Sequence, residues 1–195
     1  MTRRVEVSVV TPVFNGEKYL GDAIDSVLSQ DVDLEMLVVD DGSEDGSRPL
    51  AAARAAEDAR LRPLENVRRS GPAGARNTGI EAARGRYIAF LDCDDLWYPG
   101  KLVAQIDRLR EPGVALTYSS FDLVGADGVP LGVTRHAPER VDYATLLRSN
   151  VIGCLTAMFD TERAGRPLMP DLPMRQDWGL WLRILRETGT TAVRT

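Results

Sequence analysis

Apolar positions along this 195-residue chain follow two alternating rhythms. "VEVSVVTPVF" (5–14), "LEMLVVDDGS" (34–43) and "RYIAFLD" (86–92) are short, β-branched or aromatic runs with few interruptions, as expected of buried strands. Between them the apolar residues are spaced as on helices. "EKYLGDAIDSVLSQ" (17–30) carries Leu20, Ile24, Val27 and Leu28 on one face, and "RPLAAARAAEDAR" (48–60) is rich in alanine. "GPAGARNTGIEAARG" (71–85) opens with turn residues and predicts a small-residue helix ended by Gly85. "PGKLVAQIDRLR" (99–110) predicts a helix with Pro99 in its first turn and Leu102, Ile106 and Leu109 on its apolar face. Strands alternating with helices in this way predict an α/β fold with a mostly parallel sheet covered on both faces.

The second half is less regular. "VALTYSSFDLVGADGVPLGV" (114–133) predicts two strands joined at Asp127-Gly128, a tight-turn pair, and "VIGCLTAMF" (151–159) predicts another strand. The last helix expected is "MRQDWGLWLRILRE" (174–187), with Trp178, Trp181, Leu182 and Leu185 on its apolar face and Asp177 in its first turn.

Composition narrows the class. A hydrophobic fraction of 44% supports a sizeable core, and one domain over 1–195 is expected. The net charge of −5 speaks against holding nucleic acid by bulk electrostatics. Lys18 and Lys101 are the only lysines, so 24 − 2 = 22 of the cations are arginines, a composition bias without functional meaning of its own. Cys93 and Cys154 have no CxxC or zinc-type spacing and are expected to be reduced thiols of a cytosolic chain. "MTRRVEVSVVTPVFNG" is broken by Glu6 and Pro12, so neither a signal peptide nor a transmembrane segment is expected there, and no later run is long enough to span a bilayer. His136, the single histidine, falls in a polar stretch and is expected at the surface.

The strand at 86–92 delivers Asp92, Asp94 and Asp95 to one place. Two unit charges about 4 Å apart repel by roughly 4 kcal/mol at an effective dielectric near 20. Either one carboxyl keeps its proton, or the group spreads into solvent, or a divalent cation sits among the oxygens. DxD alone is a short and common pattern, and a capping or solvated strand end is its ordinary meaning. Here, however, Thr11, Asp40, Asp41, Asp92 and Asp94 all fall at the carboxyl ends of expected strands, where sheets of this kind bind ligands. Oxygen donors suit Mg²⁺ or Mn²⁺, and a dication held by one or two carboxylates completes its shell with phosphate oxygens and water.

Four stretches in series, "VSVVTPVFNGEKYLGDAIDSVLSQ", "EMLVVDDGSEDGS", "GPAGARNTGIEAARGRYIAFLDCDDLWYPGKL" and "RQDWGLWLRIL", resemble the family 2 glycosyltransferases of the GT-A fold over residues 5–187. The resemblance implies a Rossmann-like GT-A domain with a nucleotide-binding half at 1–96 and an acceptor half at 97–195. It implies a nucleotide-diphospho-sugar donor, UDP before dTDP or GDP. Thr11, Pro12, Phe14, Asn15 and Glu17 would line the base pocket, with Phe14 where tyrosine is commoner. Asp41 would accept from the uracil N3–H, with Asp40 as the neighbouring candidate, and Arg76 would lie against base or phosphates. Asp92 would contact the ribose or a metal-bound water, Asp94 would bind Mn²⁺ or Mg²⁺, and Asp177 would be the general base of an inverting transfer. Trp178 and Trp97 are candidates for stacking on a sugar, although the spacing of Trp178 and Trp181 favours the core.

The acceptor expected is a sugar, lipid-linked or protein hydroxyl, met in the cytoplasm or at the inner face of the membrane with at most peripheral association. Processive synthesis is not expected, because no Gln-x-x-Arg-Trp signature follows Asp177. The chain stops at Thr195, where such enzymes commonly continue, so donor binding is expected more firmly than turnover. Two alternatives are a non-catalytic nucleotide-sugar binding module and a haloacid dehalogenase-like phosphotransferase with Asp92 as nucleophile. The second requires its DxD on the first strand and a hydroxyl residue where this chain has Leu96.

Overall fold

The computed structural model describes residues 5–126 and 128–195; residues 1–4 of the N-terminal stretch and Asp127 of the expected turn lie outside the described residues. The first half follows the expected alternation. β1 (Val7–Val13), α1 (Glu17–Leu28), β2 (Leu34–Asp40), α2 (Ser47–Glu57), β3 (Leu61–Glu65), α3 (Pro72–Ala82), β4 (Tyr87–Phe90) and α4 (Lys101–Arg110) succeed one another. β5 (Leu116–Tyr118) comes next, then a separate hairpin of β6 (Phe121–Val124) and β7 (Pro130–Arg135). β8 (Arg140–Val141), α5 (Tyr143–Arg148), β9 (Met158–Asp160), α6 (Thr161–Ala164), α7 (Gln176–Thr188) and β10 (Ala192–Arg194) complete the described elements.

Eight strands form one sheet in the order β3-β2-β1-β4-β9-β5-β10-β8. β1 pairs in parallel with β2 on one side and β4 on the other, whereas β9 runs antiparallel between β4 and β5. Successive residues of each central strand enter opposite cores, which is why these strands read as continuous apolar runs. Val9, Met36, Val38 and Ala89 pack with Leu20, Ile24 and Val27 of α1 and with Leu102, Ile106 and Leu109 of α4. Val10, Leu37, Val39, Ile88 and Phe90 pack with Ile80 of α3 and with Leu180, Trp181 and Ile184 of α7.

Several boundaries differ from expectation. α4 begins at Lys101 behind Gly100, whose φ of 81° supplies a left-handed turn, so Pro99 stands outside the helix. The helix at 71–85 ends at Ala82, and Gly85 has another role. A Cβ there would lie 2.6 Å from the Ser8 backbone nitrogen, so only glycine lets this turn press against β1. Arg166 donates to the Ile80, Ala83 and Gly85 carbonyls, satisfying the end of α3 in place of a glycine cap. The strand expected over 151–159 is confined to Met158–Asp160, preceded by a 3₁₀ turn at Cys154–Thr156. β3 was not expected, because Pro63 interrupts it; it sits at the sheet edge, where proline is tolerated.

Candidate active site

The sheet reverses its order of connection at β1, with β2 on one side and β4 on the other, and open sheets bind ligands at the carboxyl ends of such strands. The chain leaving β1 and the chain leaving β2 are laced together there. Asn15, in a left-handed conformation at φ 52°, donates its backbone N–H to Ser43 Oγ at 3.0 Å and accepts from the Glu44 backbone at 2.9 Å. Glu17 accepts from Gly46 N–H at 2.9 Å. Thr11 is fully buried in β1, its hydroxyl without a partner, and Pro12 is partly buried beside it. Phe14, Asn15 and Glu17 of this group are exposed, Phe14 with 61% of its surface open to solvent.

The two aspartates after β2 divide their tasks. Asp40 is 7% exposed and turns back on its own loop, accepting from Gly42 N–H at 3.0 Å, from Ser43 N–H at 3.2 Å and from Arg48 Nε at 2.5 Å. Burial works to raise its pKa, but the Ser43, Arg48 and Gly42 hydrogen bonds outweigh it and hold the carboxyl below the usual aspartate range. Asp41 points across to the opposite wall, accepting from Asn66 Nδ2 at 2.6 Å, Ser70 Oγ at 3.0 Å and Gly71 N–H at 2.6 Å. Asn66 and Ser70 were not singled out from the sequence. Their signal is the Asn at the end of β3, hidden because that strand itself went unseen.

Beyond β4 the acidic cluster has an internal counterion. Arg76 from α3, 7% exposed, ion-pairs with Asp92. Burial opposes the Arg76 charge, but Asp92 and Asp177 favour it, so its pKa stands above that of an ordinary arginine. The three carboxylates still exceed one guanidinium. Asp95 is pushed up to about 6 by burial and by the charges of Asp92 and Asp94, with Arg76 pulling the other way. Asp94 itself is exposed. Both thiols lie at this site: burial, with Asp94 and Asp92 close by, raises Cys93 to about 11, and Cys154 is raised further by burial. They stay protonated and are not nucleophiles.

Asp177 occupies the first turn of α7 and accepts from Asn150 Nδ2 at 3.4 Å. It acts electrostatically on both Arg76 and Cys154, so the fold brings Arg76, Asp92, Asp95, Cys154 and Asp177 into one neighbourhood. Trp181 is fully buried edge-on to Phe90, and Trp97 is 6% exposed with its indole N–H on the Leu155 carbonyl at 2.9 Å; both are core. Trp178 anchors to the Leu146 carbonyl at 2.7 Å. His136 is exposed, as expected.

The donor set fits a hard dication. Among the described residues no three His, Cys, Asp or Glu side chains form a closed metal cage. Asp92 and Asp94 instead offer carboxylate oxygens from one short loop. That is the chemistry of a site completed by substrate oxygens.

The family model described as "Glycosyl transferase family 2" matches residues 8–166. A Bacillus subtilis (strain 168) protein, named provisionally as the teichuronic acid biosynthesis glycosyltransferase TuaG, is 41% identical over 95% of this chain and 74% of its own length. Escherichia coli WfgD, named as a UDP-Glc:alpha-D-GlcNAc-diphosphoundecaprenol beta-1,3-glucosyltransferase, is 34% identical over 96% of this chain and 72% of its own. Two solved structures share the fold. Staphylococcus aureus TarS 1–349 with UDP-GlcNAc has a TM-score of 0.77 and 23% identity over 98% of this chain. The Pyrobaculum calidifontis mannosyltransferase PcManGT with GDP-Man and Mn²⁺ has a TM-score of 0.74 and 24% identity over the whole of it. This chain spans 56% and 55% of those two solved chains.

Proposed function

From the premise that this chain belongs to glycosyl transferase family 2, we propose that it transfers one sugar per encounter from a nucleotide diphosphate, UDP first, to an acceptor hydroxyl with inversion. The reaction would serve cell-surface polysaccharide or glycoconjugate synthesis at the inner face of the membrane, on a lipid-linked acceptor. The names of the Bacillus subtilis and Escherichia coli relatives support that setting. Among the described residues no helix is long and apolar enough to cross a membrane.

The observation that carries the reading is the convergence of Arg76, Asp92 and Asp177 at the carboxyl edge of the sheet. Phe14 and Asp41 would read the base: Phe14 offers an exposed ring, and Asp41 an acceptor that a base N–H can share with Asn66. Asp92 and Asp94 would hold Mn²⁺ or Mg²⁺. Such a cation, when bound, offsets charge on a departing diphosphate. Arg76 adds a fixed positive charge beside Asp92. Asp177, steadied by Asn150, takes the proton of the acceptor hydroxyl. One carboxylate acting alone as base suits direct displacement rather than a covalent glycosyl-enzyme. Family membership removes the phosphotransferase alternative.

Calorimetric titration of UDP, dTDP and GDP, with Mn²⁺, with EDTA and in Asp94→Ala, tests the donor site. The expected result is metal-dependent binding of one nucleotide that is much weakened in the variant. Absence of binding under every condition would remove the transferase reading. Binding without turnover of any donor sugar, by hydrolysis or transfer, would reduce the protein to a nucleotide-sugar binding module.

A further inference from the structure

The 3₁₀ turn at Cys154–Thr156 is gripped at two successive carbonyls. The Trp97 indole donates to the Leu155 carbonyl at 2.9 Å, and Gln105 Nε2 donates to the Thr156 carbonyl at 2.8 Å. Trp97 belongs to the loop that carries Asp92, Asp94 and Asp95, and Gln105 belongs to α4. Lys101, one helical turn before Gln105, touches both: its ammonium donates to Gln105 Oε1 at 2.5 Å and lies 4.1 Å over the Trp97 ring. The same turn places Cys154 among Arg76, Asp92, Asp95 and Asp177, all of which act on its thiol.

A carbonyl only accepts, so Thr156 turns the amide of the fully buried Gln105 with its nitrogen toward the turn and its oxygen toward Lys101. An ammonium only donates, and it therefore fixes that orientation; a neutral amine also accepts and leaves the amide free to turn over. An inward-facing ammonium that meets an amide and an aromatic ring instead of a carboxylate is costly to bury. The ionisable groups on the elements packed against α4 are Asp94, Asp95 and Tyr98 in the loop before it, Cys154 in the turn, Tyr118 and Asp160 on β5 and β9, and those of α1. None of them is what shifts Lys101: burial lowers its pKa to about 7.

We propose that Lys101 is a positioning residue: its ammonium, acting through Gln105 and Trp97, holds the Cys154–Thr156 turn and through it the placing of Arg76 and Asp92. The hold weakens as pH rises and Lys101 loses its proton. Stability of the whole fold moves the other way. Folding lowers the Lys101 pKa, so above about 7 the unfolded chain binds more protons and global stability increases with pH. A turn that loosens while the fold stiffens is a signature that a packing role for Lys101 does not produce. The hold on the turn stands apart from the transferase reading; only its effect on a nucleotide rests on that reading.

Amide hydrogen exchange of Thr156 and Ala157, whose N–H groups close the turn on the Gly153 and Cys154 carbonyls at 3.0 and 3.2 Å, measures the hold in the ligand-free protein. Corrected for the intrinsic pH dependence of exchange, their protection should fall about tenfold from below to above the Lys101 pKa, the loss of one charge-assisted contact. The Met36–Val39 amides of β2 should lose none. Lys101→Arg keeps the charge and should keep protection constant, whereas Lys101→Met should be low at every pH. Gln105→Met leaves the lysine in place and should also lose the pH dependence, so it serves as the reference if Lys101→Arg does not fold. UDP is then titrated with Mg²⁺ into wild type and Lys101→Arg at the same pH, so that titration of UDP itself cancels. Affinities should be equal below the Lys101 pKa, and the wild type should bind severalfold more weakly above it. Turn protection that ignores pH, that rises in step with β2, or that keeps its pH dependence in Gln105→Met would overturn the proposal. A loosened turn with UDP affinity unchanged would overturn the positioning role. Should UDP fail to bind under every condition, the donor-site reading falls, and the exchange measurement still decides whether Lys101 holds the turn.

Discussion

Arg76 and Asp92 form an ion pair across the carboxyl edge of the sheet, one from a helix that follows β3 and the other from the end of β4. The pair joins the two structural units that frame the crevice. It also sets how much negative charge the neighbouring carboxylates present to a ligand.

Arg76→Met keeps the stem and removes the charge. Asp92 then loses its partner, for a cost of about 1–3 kcal/mol. Denaturant unfolding should show that loss, and calorimetry should show nucleotide-diphosphate affinity falling about tenfold or more. A variant with wild-type stability and affinity would mean that the pair holds nothing at the site.

Asp177→Asn preserves shape, and the amide can still meet Asn150. Removal of a general base is expected to lower kcat by about 10²–10⁴. Nucleotide affinity should change little, because the role proposed for Asp177 is toward the acceptor hydroxyl and not the donor. Comparing transfer rates with UDP binding separates the two effects, and a variant with full turnover would reassign the base.

Asp40 and Asp41 differ by one position and should respond oppositely. Asp40→Asn disturbs the turn bound to Gly42, Ser43 and Arg48, so stability falls. The Asp40 carboxyl titrates lower in the fold than in the unfolded chain, so its contribution is present above the ordinary aspartate pKa and disappears as pH falls through the folded value. Stability of the wild type and the variant should therefore converge in acid. Asp41→Asn should instead weaken nucleotide binding with a smaller change in stability. Equal effects at both positions would contradict this division.

Lys101 retains some surface, but its ammonium turns inward, donating to Gln105 Oε1 at 2.5 Å and lying 4.1 Å over the Trp97 ring. Burial pulls its pKa down to about 7. The unfolded lysine holds its proton to higher pH, so between these values the unfolded state binds more protons and stability rises with pH. Lys101→Met should flatten that rise. Unfolding curves for both proteins at several pH values through the range measure it, and an unchanged slope would show that Lys101 titrates normally.

Strand and helix order in the first half was legible because two-sided burial writes itself as unbroken apolar runs at Val7–Val13, Leu34–Asp40 and Tyr87–Phe90. β3 escaped because an edge strand with Pro63 and alternating exposure has neither signature. β9 and β10 are only three residues each, and their place in the sheet depends on partners far away in sequence. At the site, the residues at strand ends were visible from motif and position. The resemblance supplied roles for Arg76 and Asp177, but their nearness to one another depends on how α3 and α7 pack on the same face of the sheet. The partners that steady the site, Asn66 and Ser70 on Asp41 and Asn150 on Asp177, carry no pattern of their own. They are polar side chains whose meaning comes from what the fold sets opposite them.

The antiparallel insertion of β9 between β4 and β5 has a kinetic consequence. β1, β2 and β3 pair with close sequence neighbours, Val7 with Leu34 and Met36 with Leu61, whereas Val7 waits for Tyr87, Tyr87 for Asp160 and Thr117 for Val193. Closing such long loops is entropically late, so the first three strands should assemble as the folding nucleus and β4, β5, β9 and β10 should dock later. In reverse, native-state hydrogen exchange should find β5, β9 and β10 opening before β1 and β2. A chain caught in that partly opened form would keep Asp40 and Asp41 in place after β2 while Asp177, at the start of α7, hung loose.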